Sequence, residues 1–205
     1  MRFSVRAGLL ALIALVAGCD AAPTPLVTSP SACTRATFPA WQTSDYVLPY
    51  PAGRAYLVLQ GNCAAFSHTD GSVIAFAYDF RMPIGTVVTA SRGGTVTQVE
   101  ASFQDGDHER GHENGVVVDH GDGTVGVYLH LTQDGAEVGV GDVVVQGDTL
   151  GRSGNTGFST EPHLHLDVRA GCADGRCTPV PITFRNTSPN PLGLRAGGVY
   201  PALPY

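Results

Sequence analysis

The sequence predicts an all-β protein built from antiparallel sheets, and three observations carry that prediction. Short runs rich in Val, Ile, Thr and Tyr recur along the chain, broken by Gly and Asp turns. The 26 glycines and 14 prolines, with only 15% charged residues, describe a turn-rich chain. After the N-terminal stretch no segment carries the 3.6-residue apolar period of an amphipathic helix. At 205 residues the chain is long enough for one domain with a core of its own.

At the N-terminus, Arg2 and Arg6 flank the start of an apolar stretch, GLLALIALVAG. It is too short for a membrane span of about 20 residues and has the form of an export signal. It ends in Val16-Ala17-Gly18-Cys19, which resembles the bacterial lipobox. The expectation is a signal peptide over 1–18, lipid on Cys19 as the new first residue, and a tether over 19–35. DAAPTPLVTSPSA is polar and Pro-rich, as a tether requires. The alternative is ordinary signal cleavage that leaves a free thiol. On the first reading the product is exported and anchored to a membrane, in a periplasm or at a cell surface. Loss of Arg2 and Arg6 takes the formal charge from −6 to −8, which excludes the basic surface that nucleic-acid binding needs.

Residues 36–205 form the expected domain. Its β-type runs are 56–60, 73–80, 86–90, 94–100, 115–119, 124–131, 143–145, 164–169 and 181–186, a spacing that fits a sandwich or barrel. The closing NTSPNPLGLRAGGVYPALPY reads as loop wrapped over the domain. VGVGDVVVQGDTLGRSG is similar to the hairpins of lipoyl and biotin carrier domains. Those carriers attach their cofactor to lysine. All twelve basic residues here are arginines, so that function is excluded.

Four cysteines follow Cys19. An even number in an exported chain predicts disulfides, with three possible pairings. Cys172 and Cys177 flank the turn-like ADGR and pair with each other, leaving Cys33 to Cys63. Oxidation outside the cytoplasm competes with a metal-binding reading of C-x4-C.

HERGH, His108 to His112, matches the H-E-x-x-H pattern of zinc proteases, which works only on a helix. Here no apolar residue lies between Phe103 and Val116, and Gly106, Gly111 and Gly115 interrupt the segment. A helix would have no face to bury and three costly glycines. The segment therefore reads as a solvated loop without ligands, and His120 as a hydrogen-bonding residue at a strand end.

EPHLHLDVR carries more chemistry. On a strand His163, His165 and Asp167 share one face and Leu164, Leu166 and Val168 the other. The two histidines then stand about 6.6 Å apart, so one can bind a metal while the other faces a substrate. In TVGVYLHL, Tyr128 and His130 are expected on one face. In FSHTDGSVIAFAYDF, Asp79 sits between Tyr78 and Phe80 in a run otherwise free of charge, where an acid needs a partner or a metal. Two histidines and a carboxylate with an open position make a catalytic zinc set.

Together these elements resemble the lysostaphin-like (LytM-type) zinc endopeptidases of bacterial cell walls. The resemblance rests on SH…YDF, PIGTVVTASRGGTVTQV, YLHL, GVGDVVVQGDTLGRSGNTGFST and PHLH, over residues 45–170. It implies a barrel-sandwich-like antiparallel peptidase domain (the duplicated hybrid motif), with its groove over the sheet. It implies one zinc ion per chain held by His68, Asp79 and His165, with His130 and His163 as the catalytic pair. One of that pair takes the water proton while the other stabilises the oxyanion. The implied substrate is a stem peptide or cross-bridge of peptidoglycan. A non-catalytic regulator on the same fold, acting through another wall hydrolase, is the rival reading, and a glycan-binding lipoprotein a second. Two departures stand out. The family spaces its first ligands H-x3-D, whereas ten residues separate His68 from Asp79. A strand from Val73 would carry Asp79 about 20 Å away, so residues 69–75 must form a returning loop. Glu161 stands where the family has glycine before PHLH, and is expected near the groove. Asp167 is expected either to orient His165 or to lie at the surface.

Overall fold

A computed structural model of the chain describes residues 32–172 and 176–205. The expected signal peptide, Cys19 and most of the expected tether lie outside these residues. Among the described residues twelve strands make two antiparallel sheets. The larger sheet runs β12 (Val199–Pro201), β1 (Ala55–Gln60), β2 (Tyr78–Arg81), β10 (His163–Ala170), β6 (Thr124–Leu129), β5 (Gly115–Asp119), β4 (Gly94–Glu100), β8 (Val143–Val144), and β11 (Thr178–Pro179) adds to β10. The smaller sheet is β3 (Val87–Thr89), β9 (Thr149–Ser153), β7 (Leu131–Ala136). The all-β expectation holds. Among the described residues no helix is long and apolar enough to cross a membrane.

β10 lies at the centre and explains the architecture. Leu164, Leu166 and Val168 point into the core with Tyr78, Phe80, Tyr128 and Phe184, all fully or almost fully buried. Truncating either leucine to alanine costs about 2–5 kcal/mol by loss of burial and creation of a cavity. His163, His165 and Asp167 take the opposite face, as alternation requires, but they too are buried. Loops cover that face. One side of the strand is therefore an apolar core and the other a polar one.

Three expected runs are revised. Val73 to Ala77 is not strand. It is a series of tight turns closed by Ser72 N–H to Thr69 O, Ala75 N–H to Ser72 O and Ala77 N–H to Ile74 O, at 3.0–3.2 Å. Its apolar residues mislead because Ala75, Phe76 and Ala77 are buried without being paired in a sheet. Residues 181–186 are buried but irregular, because side chains take up their backbone groups: Asn190 Oδ1 accepts from Phe184 N–H, and Ser44 Oγ–H donates to Thr183 O. The run 124–131 breaks at His130, whose φ of +66° ends β6 and starts β7. β7, β9, β11 and β12 lay outside the expected runs, apart from Leu131.

Both expected disulfides are present, Cys33–Cys63 and Cys172–Cys177. The first pins the segment 61–77, which leaves β1 and returns to β2.

Candidate metal centre

Ladder register builds half of the site. β2 and β10 are hydrogen-bonded neighbours with Asp79 directly opposite His165 and Arg81 opposite His163. Cross-strand neighbours on one face have Cβ atoms about 5 Å apart, so Asp79 and His165 meet without any loop to guide them. His165 Nδ1 is 2.9 Å from Asp79 Oδ1. Its Nε2 lies 2.9 Å from Asp167 Oδ2, and Arg169 grips Asp167 through Nε and Nη2 at 2.6 and 2.8 Å. Asp167 is therefore not a surface carboxylate: it orients the His165 ring.

His68 comes from the 61–77 segment, which makes the return that the spacing demanded. Its Nδ1–H donates to Gly61 O at 3.1 Å, which leaves Nε2 bare. That nitrogen is buried, approaches Asp79 Oδ2 at 3.3 Å, and lacks a hydrogen-bond partner. Gln60 Nε2 holds the same carboxylate oxygen at 2.7 Å and reaches Ser67 Oγ at 3.0 Å. Gln60 was not legible as a site residue, since nothing marks a glutamine at the end of a strand.

His68, Asp79 and His165 each offer a donor atom within 4.8 Å of the others, and no other trio among the described residues does so. They are 0%, 3% and 4% exposed. Burial alone would raise the Asp79 pKa, but hydrogen bonds and charge from His165 and His68 outweigh it and hold the carboxyl well below its usual range. Burial would likewise depress His165, yet hydrogen bonds to Asp167 and Asp79 push it up to about 9. Two buried carboxylates thus share one imidazolium, which is an environment that calls for positive charge. An orphaned nitrogen, a carboxylate and a second imidazole at one buried point form a donor set that fits a divalent zinc ion.

His130 and His163 stand beside this trio, with ring centroids 4.5 Å apart. His163 Nε2 is 3.8 Å from Asp79 Oδ1. Each donates its Nδ1–H to a carbonyl, His130 to Thr156 O at 2.7 Å and His163 to Glu161 O at 2.8 Å. Both therefore present Nε2 as an acceptor. Burial, with the neighbouring histidines next, pushes His130 down to about 3, and burial also lowers His163, so both rings are neutral at neutral pH. His130 and Tyr128 do not share a face. Tyr128 is a core residue that accepts from Ser91 N–H, and the left-handed turn at His130 swings that ring into the groove instead.

The groove above has a volume of about 520 Å³, with Asp79, His130, His163 and His165 in its floor. Phe66, Ile74, Arg110, Glu113 and Phe158 also line it. The HERGH segment is a turn, not a helix, and contributes no ligand to the trio. It is more than a solvated loop, however. His108 Nδ1–H donates to Ser159 O at 2.5 Å, and His112 stacks on Phe103 with ring centroids 4.2 Å apart. Glu161 pairs with Arg81 at 2.8 Å, and its side chain is not among the groove's lining, although its carbonyl accepts from His163. His120 lies elsewhere, on the β5–β6 turn, where its Nδ1 meets Thr124 Oγ1 at 3.0 Å.

Comparison with known proteins was made against this geometry. Over 90 residues the chain is 39% identical to the peptidoglycan DD-endopeptidase ShyA of Vibrio cholerae, covering 44% of this chain and 19% of that protein. Over 111 residues it is 34% identical to lysostaphin of Staphylococcus staphylolyticus, covering 54% of this chain and 22% of the relative. The solved catalytic domain of lysostaphin from Staphylococcus simulans is 28% identical with a TM-score of 0.42, covering 63% of this chain and 88% of that one. The chain thus spans about a fifth of the length of the curated relatives it matches. The model of peptidase family M23 matches residues 73–178, a span that holds Asp79, His130, His163 and His165 and begins after His68. That match covers just over half of the sequence, and the chain belongs to peptidase family M23.

Proposed function

We propose that this protein is a zinc metalloendopeptidase that hydrolyses peptide bonds in peptidoglycan. The single observation that carries the reading is the buried trio His68, Asp79 and His165, with an unpartnered His68 Nε2, beside the neutral pair His130 and His163 in the floor of one groove. Zinc, when bound, supplies Lewis-acid polarisation of the scissile carbonyl. His68 would hold it through its unpartnered Nε2, His165 through Nδ1 once that nitrogen gives up its proton, and Asp79 through carboxylate oxygen. Asp167 keeps His165 turned so that Nδ1 faces the site. Glu113 also lines the groove, but its carboxylate oxygens accept from Phe158 N–H and Gly111 N–H, so His130 or His163 accepts the proton of the attacking water at Nε2. Protonation turns that ring into an N–H donor, able to hydrogen-bond the developing oxyanion and then to pass the proton to the leaving amine. Burial of both rings excludes competing water.

A non-catalytic regulator would have no use for a complete donor set with two acceptor histidines beside it, which favours the enzyme. We also propose that the protein is exported, lipidated at Cys19 and anchored to a membrane; the two disulfides support the export alone, since such bonds persist outside the cytoplasm. The test is zinc analysis of the purified protein, followed by digestion of purified peptidoglycan and mass spectrometry of the new ends. New peptide termini from zinc-loaded protein are expected. A zinc-loaded protein that releases none would overturn the reading in favour of the regulator.

A further inference from the structure

The groove carries one cation whose chemistry the hydrolytic reading leaves unused. Arg110, the fourth of the five residues in DHERG, is exposed, and its guanidinium carbon lies 3.6 Å above the centre of the Phe158 ring. Both side chains line the groove. Among the described residues no carboxylate pairs with Arg110. Arg81, Arg92, Arg152 and Arg169, by contrast, each meet one at 2.5–2.8 Å.

The pair is held in place from both loops. Asp107 Oδ1 accepts from Gly157 N–H at 3.0 Å, and Glu113 Oε1 accepts from Phe158 N–H at 3.2 Å. Glu113 Oε2 accepts from Gly111 N–H at 2.9 Å, so both oxygens of that carboxylate serve backbone N–H groups. A Cβ at position 157 would lie 2.6 Å from Glu113 Cγ with φ at +67°, so this close docking requires glycine. The loops thus hold a guanidinium over an aromatic ring in the lining of the groove. A stacked guanidinium keeps its in-plane N–H groups available, and these match a carboxylate. Phe66 and Ile74, which also line the groove, carry no charge.

We propose that Arg110, on its Phe158 shelf, is a specificity residue that binds a free carboxylate on the substrate peptide close to the scissile bond. This rests on the peptidase reading above and sharpens it. The preferred substrate is an acidic stem-type peptide, and a neutral glycine bridge is a poor one, because it offers Arg110 nothing to bind.

The test uses the zinc-loaded full chain and three synthetic peptides. Two are stem-type peptides that differ in one group, a carboxylate beside the scissile bond that is free in one and amidated in the other. The third is oligoglycine. Wild-type protein should favour the free acid over the amide in kcat/KM by about tenfold, the scale of one charge-assisted hydrogen bond at a partly exposed site. Arg110→Gln should bring that ratio close to one at a wild-type zinc content, with the change appearing mainly in KM, and Arg110→Lys should keep part of it. In wild-type protein the preference should shrink as salt is raised, a measurement that needs no variant. Equal rates on acid and amide, or a preference that survives Arg110→Gln, overturn this inference while leaving the peptidase reading intact. Zinc-loaded protein that cleaves none of the three peptides overturns the peptidase reading and this inference with it.

Discussion

The two halves of the candidate metal centre are built by different means. Asp79 and His165 face each other across one ladder of the central sheet, so their meeting follows from strand register. His68 arrives on the irregular 61–77 segment, held by the Cys33–Cys63 bridge, a bond to Gly61 O and a run of tight turns. A register error would move a whole strand to the wrong face, so the strand half is protected by the entire core beneath it. The loop half rests on a few local ties. The difference teaches where this site is robust and where it is adjustable.

Substitutions can break or sharpen that contrast. The largest effect is expected in the strand half. His165→Ala should lose both zinc and activity, read by metal analysis and peptidoglycan cleavage, with a wild-type far-ultraviolet spectrum because Leu164 and Leu166 still fill the core. Retained zinc would remove His165 from the ligand set. Next come the two groove histidines. His163→Ala and His130→Ala should keep zinc but lose about 10²–10⁴-fold in turnover, the usual range for a general acid–base group. The double variant should be little worse than either single one, because the pair acts as a unit. Loss of zinc in His163→Ala would mean that the two histidines of PHLH have exchanged roles.

A smaller effect is expected from Asp167→Asn, which leaves the ring of His165 in place but weakens its orientation. Zinc affinity should fall about 10–100-fold, the range for outer partners of ligating histidines, while kcat at saturating zinc changes little. The loop half is tested by Cys33→Ser with Cys63→Ser. Loss of the bridge should cost about 2–4 kcal/mol of stability and weaken zinc binding less than Asp167→Asn does. A larger loss of affinity would mean that the loop, not the ladder, sets the geometry of the centre. The smallest effect is expected at HERGH, where replacing His108 and His112 together with alanine should leave zinc content unchanged. Metal loss there would transfer the ligand role to that segment.

Legibility in the sequence follows the same division. Where a regular strand carried the chemistry, alternation exposed it: PHLHLDV sorts into two faces, and Asp79 stood out as a lone charge between aromatics. Where irregular backbone carried it, local pattern failed. SVIAF looks like a strand because four of its residues are apolar, yet it folds as tight turns that bury Ala75 and Phe76 and leave Val73 exposed. Residues 181–186 misled in the same way. His130 was found from its neighbours in YLHL, but strand alternation put it with Tyr128, since a single left-handed residue leaves no trace in apolar periodicity. Gln60 and the shelf formed by Arg110 and Phe158 depend on contacts between segments distant in sequence, and no local motif announces such contacts.

The Cys33–Cys63 bridge also fixes a path for mechanical force. Any pull on the chain from the N-terminal side of Cys33 reaches the domain at a covalent junction, before it can peel the hydrogen bonds of residues 34–60. The sulfur–sulfur bond delivers that load to Cys63, whose own N–H is tied to Ala75 O at 2.7 Å. Tension that arrives at Cys33 therefore ends at the root of the segment that presents His68.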